Sequence, residues 1–339
     1  MIGFRSSFCR YAFFVVSMLC TPLVAENKIL DYPTFELLSG AWKEKEKEWR
    51  RYDEEDAAVL ERFATNYQKK SHLLFSQAPR VNRIPRTIHF IWVGPKPFPP
   101  ESVENVKVWK ELHPDWVLKF WTDSYERPCP VAGMEKHLID EIAFTHLKPY
   151  LSRTKNYGEK ADIIRYEILY NEGGMYVDHD VRAYRCFDTL HSVFDFYVGL
   201  ENPHINEGTG TKVFPCNCLF AARPRHPIVK RTIKLVEARW DEVEKRYPGQ
   251  DTTSNFNRVI NRTFHSFTMA TKECLNLEGN SDMVLPSSFF FGHMIFTERT
   301  LQKLRASGLV YAKHDFAAAW TVKKKDSSSS SKSDKKRKK

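Results

Sequence analysis

Apolar positions change their spacing near residue 84. From Phe35 to Gln77, Leu37, Leu38, Trp42, Trp49, Ala57, Leu60, Phe63 and Tyr67 recur at steps close to three and four among many charges. That is the period of one helix face, and it predicts two or three amphipathic helices whose aromatic residues serve packing. From Ile84 onward short apolar runs alternate with longer periodic ones. Thr87–Val93 (TIHFIWV) reads as a strand, closed by Gly94-Pro95. A helix is predicted over Glu101–Leu112, a strand over Trp116–Trp121, and a helix over Met134–Phe144. Lys160–Asn171 reads as a helix stopped by Gly173-Gly174, followed by a strand over Met175–Val181. Phe196–Leu200 and Asn217–Ala222 add strands, Pro227–Tyr247 a long helix and Thr300–Ala306 a shorter one. Strand and helix in alternation is the rhythm of an α/β fold with a mostly parallel sheet, which binds its ligands beyond the C-terminal strand ends.

Composition adds little until the charge is located. The 339 residues are 42% hydrophobic and 14% aromatic, which excludes a disordered chain. The formal charge is +10, but Lys323–Lys339 holds nine basic and two acidic residues, and the first 25 residues hold Arg5, Arg10 and no acid. The body between them is close to neutral, so a nucleic-acid-binding domain is not expected. Residues 1–25 join this basic start to the apolar run Tyr11–Cys20 and a small Ala25. Either a cleaved signal peptide or an uncleaved signal anchor fits, and both send the chain along the secretory route, to the Golgi or ER lumen, a periplasm or the exterior. The serine-rich basic tail has no apolar residue to bury; it reads as disordered, either solubilising or a contact for anionic membrane. Beyond residue 25 lie five cysteines with no regular spacing, Cys129, Cys186, Cys216, Cys218 and Cys274, which read as packed thiols rather than a disulfide framework or zinc site.

The chemistry concentrates in ADIIRYEILYNEGGMYVDHDV, residues 161–181. Alternation along a strand would put Asp178 and Asp180 on one face and His179 on the other. Two carboxylates at a strand exit make a hard oxygen site for a divalent cation. Asp162 and Arg165, three apart on the preceding helix, share a face. Each feature alone is weak. A phosphoesterase built on Asp178-His179-Asp180 lacks the further His and Asp clusters that a two-metal site needs.

Together these residues resemble the DxD sugar-binding region of the family 32 glycosyltransferases and of the glucosylating domains of large clostridial toxins. The resemblance spans roughly residues 84–320 and is carried by IPRTIHFIWVG, ADIIRYEILYNEGG, MYVDHD, NCLFAARPRHP and KHDFAAAW in order. It implies a GT-A type nucleotide-sugar-binding fold, preceded by a helical segment over 26–83 and followed by the tail from 321. It implies a retaining, metal-dependent transfer of a hexose from a UDP- or GDP-sugar to a glycan, lipid or protein. In that reading Ile91 and Trp92 hold the base. Asp162, Arg165, Tyr176 and Asp178 hold the ribose and donor sugar. Asp180 ligates the cation, Mn²⁺ rather than Mg²⁺, with Asp178, His314 and Asp315 as further metal candidates and Asp315 favoured over His314. Trp320 reads either as core or, as an aromatic just before a disordered tail, as a lid over the donor. Ala318 and Ala319 stand where the family often has serine, which leaves the ligand set open. The alternative is a protein that keeps this fold without catalysis and acts through its basic tail.

Overall fold

The computed structural model describes residues 33–40, 54–75, 81–203 and 213–317. The expected leader, the tail and Trp320 lie outside the described residues. Nine strands occur among them: β1 Thr87–Trp92, β2 Val117–Thr122, β3 Glu135–Leu138, β4 Gly174–Val177, β5 Val181–Ala183, β6 Phe196–Leu200, β7 Pro215–Ala222, β8 Asp282–Leu285 and β9 Ala312–His314. Seven form one sheet in the order β3-β2-β1-β4-β7-β6-β8; β5 and β9 pair separately. Every neighbouring pair in the large sheet is parallel except those made by β7. The α/β class and the mostly parallel sheet are those expected from the sequence.

Hydrophobic burial explains the arrangement. All eight residues of β7 are buried, as suits a strand covered on both faces in the middle of the sheet. The helix Tyr157–Glu172 buries Ile163, Ile164, Tyr166, Ile168 and Leu169, so it is apolar over much of its circumference. The helix Glu54–Lys70, inside the stretch expected to be helical, places Val59, Leu60, Phe63 and Tyr67 in the same hydrophobic core as the sheet. Its Asn66 and Lys70 donate to the Asp282 carbonyl at the outer strand β8, which ties this helix to the edge of the sheet.

Two expectations need correction. Met134–Phe144 is not a helix: Glu135–Leu138 pairs in parallel with β2 as the edge strand, and only Ile139–Glu141 turns, as a 3₁₀ segment. A local helical preference yields here to an unsatisfied row of β2 backbone groups. The strand expected over Met175–Val181 is interrupted. β4 stops at Val177, residues 178–180 turn, and β5 leaves for the other sheet. The helical stretch Thr252–Cys274, with a π-helical segment at Ile260–Phe264, was not anticipated. Among the described residues no helix is long and apolar enough to cross a membrane.

Candidate functional site

The glycine pair decides how the site is entered. Gly173 and Gly174 have φ of 67° and 94°, a backbone that side chains disfavour. A Cβ at Gly174 would stand 2.8 Å from the Thr87 carbonyl oxygen and 2.9 Å from His89 Nε2. The pair therefore ends the helix Tyr157–Glu172 and lets β4 close against β1. His89 seals the junction. Trp121 Nε1 donates to its Nδ1 at 3.1 Å, so its Nε2 carries the proton and donates to the Gly173 carbonyl at 2.9 Å. Burial lowers the His89 pKa to about 3, which keeps this imidazole neutral.

Beyond Val177 the chain turns rather than continuing as a strand. The Asp178 amide donates to the Cys218 carbonyl of β7, and the Val181 amide donates back to the Asp178 carbonyl at 3.1 Å. The two carboxylates meet through this turn, not through strand alternation. Antiparallel pairing of β5 with β9 sets Val181 opposite His314. That pairing brings His314 Nε2 to 3.4 Å from Asp180 and 3.9 Å from Asp178. Ligand atoms of Asp178, Asp180 and His314 lie within 4.8 Å of one another. Two carboxylates and an imidazole fit a divalent cation. Burial would raise the Asp180 pKa, but His314, His179 and the Ala317 amide hold it below the usual carboxylate range. Burial would lower His314, yet Cys218 and Asp180 raise it well above its ordinary value.

The turn is clamped from outside by the helix Pro100–Leu112. Ser102 Oγ is 2.7 Å from His179 Nδ1, Asn105 Nδ2 donates to the His179 carbonyl at 3.2 Å, and Trp109 Nε1 donates to the Val181 carbonyl at 2.8 Å. Steps of three and four put these side chains on one helix face. Sequence reading missed the clamp, although the spacing was visible.

A second layer lies beneath the carboxylates. Arg165 Nη2 is 2.9 Å from Asp162 and 3.3 Å from Asp178, its Nη1 donates to the Asn217 carbonyl at 2.7 Å, and its guanidinium lies 3.9 Å from the Tyr176 ring centre. Burial opposes the charge on Arg165, but Tyr176, Asp162 and Asp178 more than offset it. Tyr176 Oη donates to Asp178 Oδ1 at 2.5 Å, fixing that carboxylate. Asp162 is engaged inside the protein by Arg165, Asn217 Nδ2 and Thr263 Oγ1. Burial raises its pKa to about 6. Asn217 and Thr263 are neighbours of the candidate site that sequence reading did not single out. Thr263 also closes the Asn261-Arg-Thr sequon, which sits within the helical stretch.

At the C-terminal end of β1, Ile91 is buried and Trp92 half-buried. Trp92 Nε1 donates to the Lys96 carbonyl at 2.8 Å, and its ring meets Phe98 and His179 edge-on, with centroids 5.5 and 5.0 Å apart. Arg127 holds the following loop through the Trp92 and Gly94 carbonyls and Asp123. The structure thus brings Trp92, through His179, to the same turn as Asp178, Asp180 and His314, with Asp162, Arg165 and Tyr176 behind. Asp315, favoured as a metal ligand from sequence, is not brought in. Its carboxylate pairs with Lys313 and is half-exposed, and only its amide reaches the turn, donating to the Asp180 carbonyl at 3.0 Å. Asp315 lies one residue beyond the end of β9, and its carboxylate turns to Lys313 rather than to Asp180.

The sequence around this site matches a known family model over part of the chain. Residues 99–196 match the glycosyltransferase sugar-binding region containing the DXD motif. These residues are similar to a glycosyltransferase DXD region. They include the clamp helix, Asp162, Arg165 and the Asp178-His179-Asp180 turn, and exclude His314. The chain is 28% identical over 156 residues to inositol phosphoceramide mannosyltransferase 1 of Schizosaccharomyces pombe, covering 45% of this chain and 43% of that protein. It is 22% identical over 257 residues to the initiation-specific alpha-1,6-mannosyltransferase of the same yeast, covering 68% of this chain and 63% of that protein. The chain spans less than half the length of the first curated relatives it matches. Among solved structures it is similar to the catalytic domain of alpha-toxin from Clostridium novyi, at 10% identity and a TM-score of 0.45, covering 83% of this chain and 91% of that one.

Proposed function

We propose that this protein is a retaining, divalent-metal-dependent glycosyltransferase that moves a hexose from a UDP- or GDP-sugar to an acceptor. The observation that carries the proposal is the convergence of Asp178 and Asp180, inside the DXD region, with His314 from β9. Asp180, Asp178 and His314 would hold the cation, Mn²⁺ in preference to Mg²⁺. Bound there, it neutralises the charge that develops on the departing nucleoside diphosphate. Trp92 and Ile91 offer a flat, apolar face to the base. Tyr176 and Arg165 hold the Asp178 carboxylate at a fixed angle, so it can orient donor hydroxyls without rearranging. Asp162, already engaged by Arg165, Asn217 and Thr263, holds Arg165 in place from behind. No side chain is assigned as a covalent nucleophile, which suits attack by the acceptor on the face that the leaving group departs from.

Of the glycan, lipid and protein acceptors open from sequence, lipid is the first to assay. Relatives in S. pombe are named for mannosyl transfer to inositol phosphoceramide. Residues 1–25 would route the chain into the secretory pathway.

The test is donor turnover by the purified protein with a panel of nucleotide sugars and Mn²⁺, with and without Asp180→Asn. The substitution is expected to lower turnover by on the order of 10²–10³-fold. Turnover of no donor, or turnover indifferent to Asp180→Asn, overturns the enzymatic reading and leaves a silent member of the fold acting through its tail.

A further inference from the structure

Strand β7 carries two side chains that glycosyl transfer does not use. Alternation turns Asn217 toward Asp162 and Tyr166, and Cys216 and Cys218 to the opposite face. Both cysteines are free thiols and almost fully buried. The two sulfurs and one imidazole nitrogen of His314 all lie within 4.8 Å of one another. His314 is 7% exposed, and its Nδ1 has no hydrogen-bond partner among the described residues. Sequence alone argued against a metal here, because the two cysteines have a one-residue spacing and no second pair. The missing ligand comes from β9, about a hundred residues further along the chain.

We propose that Cys216, Cys218 and His314 form a second cation site, selective for a soft divalent ion such as Zn²⁺. Sulfur and imidazole nitrogen are the ligands such an ion prefers, whereas Asp178 and Asp180 offer the hard oxygens that Mn²⁺ or Mg²⁺ prefers. Tetrahedral zinc holds sulfur and nitrogen ligands roughly 3.5–4 Å apart, so the set closes with a small inward movement. Binding needs both sulfurs as thiolates and the His314 imidazole neutral, so it releases the protons these groups carry. His314 belongs to both sets. A soft ion at the thiols therefore takes the imidazole from the aspartates, and the two ions compete for one side chain. The site is independent of the transferase reading, because its occupancy is measured without turnover.

Titration of the reduced, chelator-treated full-length protein with Co²⁺ tests this. One cobalt per chain should produce a thiolate-to-cobalt charge-transfer band in the near ultraviolet, abolished by Zn²⁺. The band should be lost in Cys216→Ser/Cys218→Ser and retained in Cys129→Ser/Cys186→Ser. Absence of the band from the wild-type protein, or its survival in the Cys216/Cys218 variant, overturns the site. Should the double variant not fold, Cys216→Ser alone removes one of two thiolates and should weaken the band by about half; unchanged intensity overturns the site equally.

Discussion

The carboxyl of Asp162 lies buried among Arg165, Asn217 and Thr263, and burial outweighs the guanidinium beside it. Its folded-state pKa of about 6 stands above the ordinary 3.8. Its contribution to stability is therefore fully present below the ordinary value and is lost as pH rises through about 6. Asn at this position does not titrate. The stability of the wild type relative to Asp162→Asn should fall by on the order of 2 kcal/mol between about pH 4 and pH 7, measured by urea unfolding. A pH-independent difference would show that Arg165 keeps the group ionised throughout. Trp92 acts differently. Stacking on a base contributes about 1 kcal/mol to ground state and transition state alike. Trp92→Ala should therefore raise the donor KM roughly fivefold and leave kcat nearly unchanged. Initial rates across donor concentrations check this, and an unchanged KM removes Trp92 from the base site.

At the scale of elements, the helix Pro100–Leu112 holds the turn by one polar face. Asn105 touches none of the proposed ligands; it acts through the His179 backbone. Asn105→Ala should weaken Mn²⁺ binding about tenfold, as loss of an outer-shell partner does, while thermal unfolding shifts little. An electron paramagnetic resonance titration reads the first and calorimetry the second; equal Mn²⁺ affinity would mean that the turn holds itself. The helix-to-strand junction carries stability instead. Gly174→Ala places a Cβ against the Thr87 carbonyl at φ 94° and should cost about 1–3 kcal/mol in chemical denaturation. This junction was legible in advance, because Gly-Gly after a periodic run is a stop signal. The edge strand β3 was not, because its pairing partner is supplied by a strand some fifteen residues earlier, outside any local window.

Across the whole molecule, charge and chemistry are separated. The basic excess sits at the two ends of the sequence, and the site sits in the sheet. Deleting residues 323–339 should leave donor turnover intact and abolish any salt-sensitive binding to anionic vesicles; vesicle co-sedimentation at two salt concentrations reads this, and binding that persists without the tail places the membrane contact elsewhere.

The alternation of short apolar strands with periodic helices, the glycine stop and the Asp-His-Asp triplet are local patterns. Side-chain period and backbone permissiveness act within a few residues, so the sequence by itself determined the α/β class, the mostly parallel sheet and the residues around which the site is built. Which carboxylates meet, and what joins them, depended on pairing across long stretches of chain. The turn at 178–180 replaced an expected strand, and β5 beyond it pairs with β9 rather than within the large sheet. That same pairing brought His314, the last residue of β9, to Asp180, left the Asp315 carboxylate to Lys313, and set the imidazole within reach of both the aspartates and the thiols of β7.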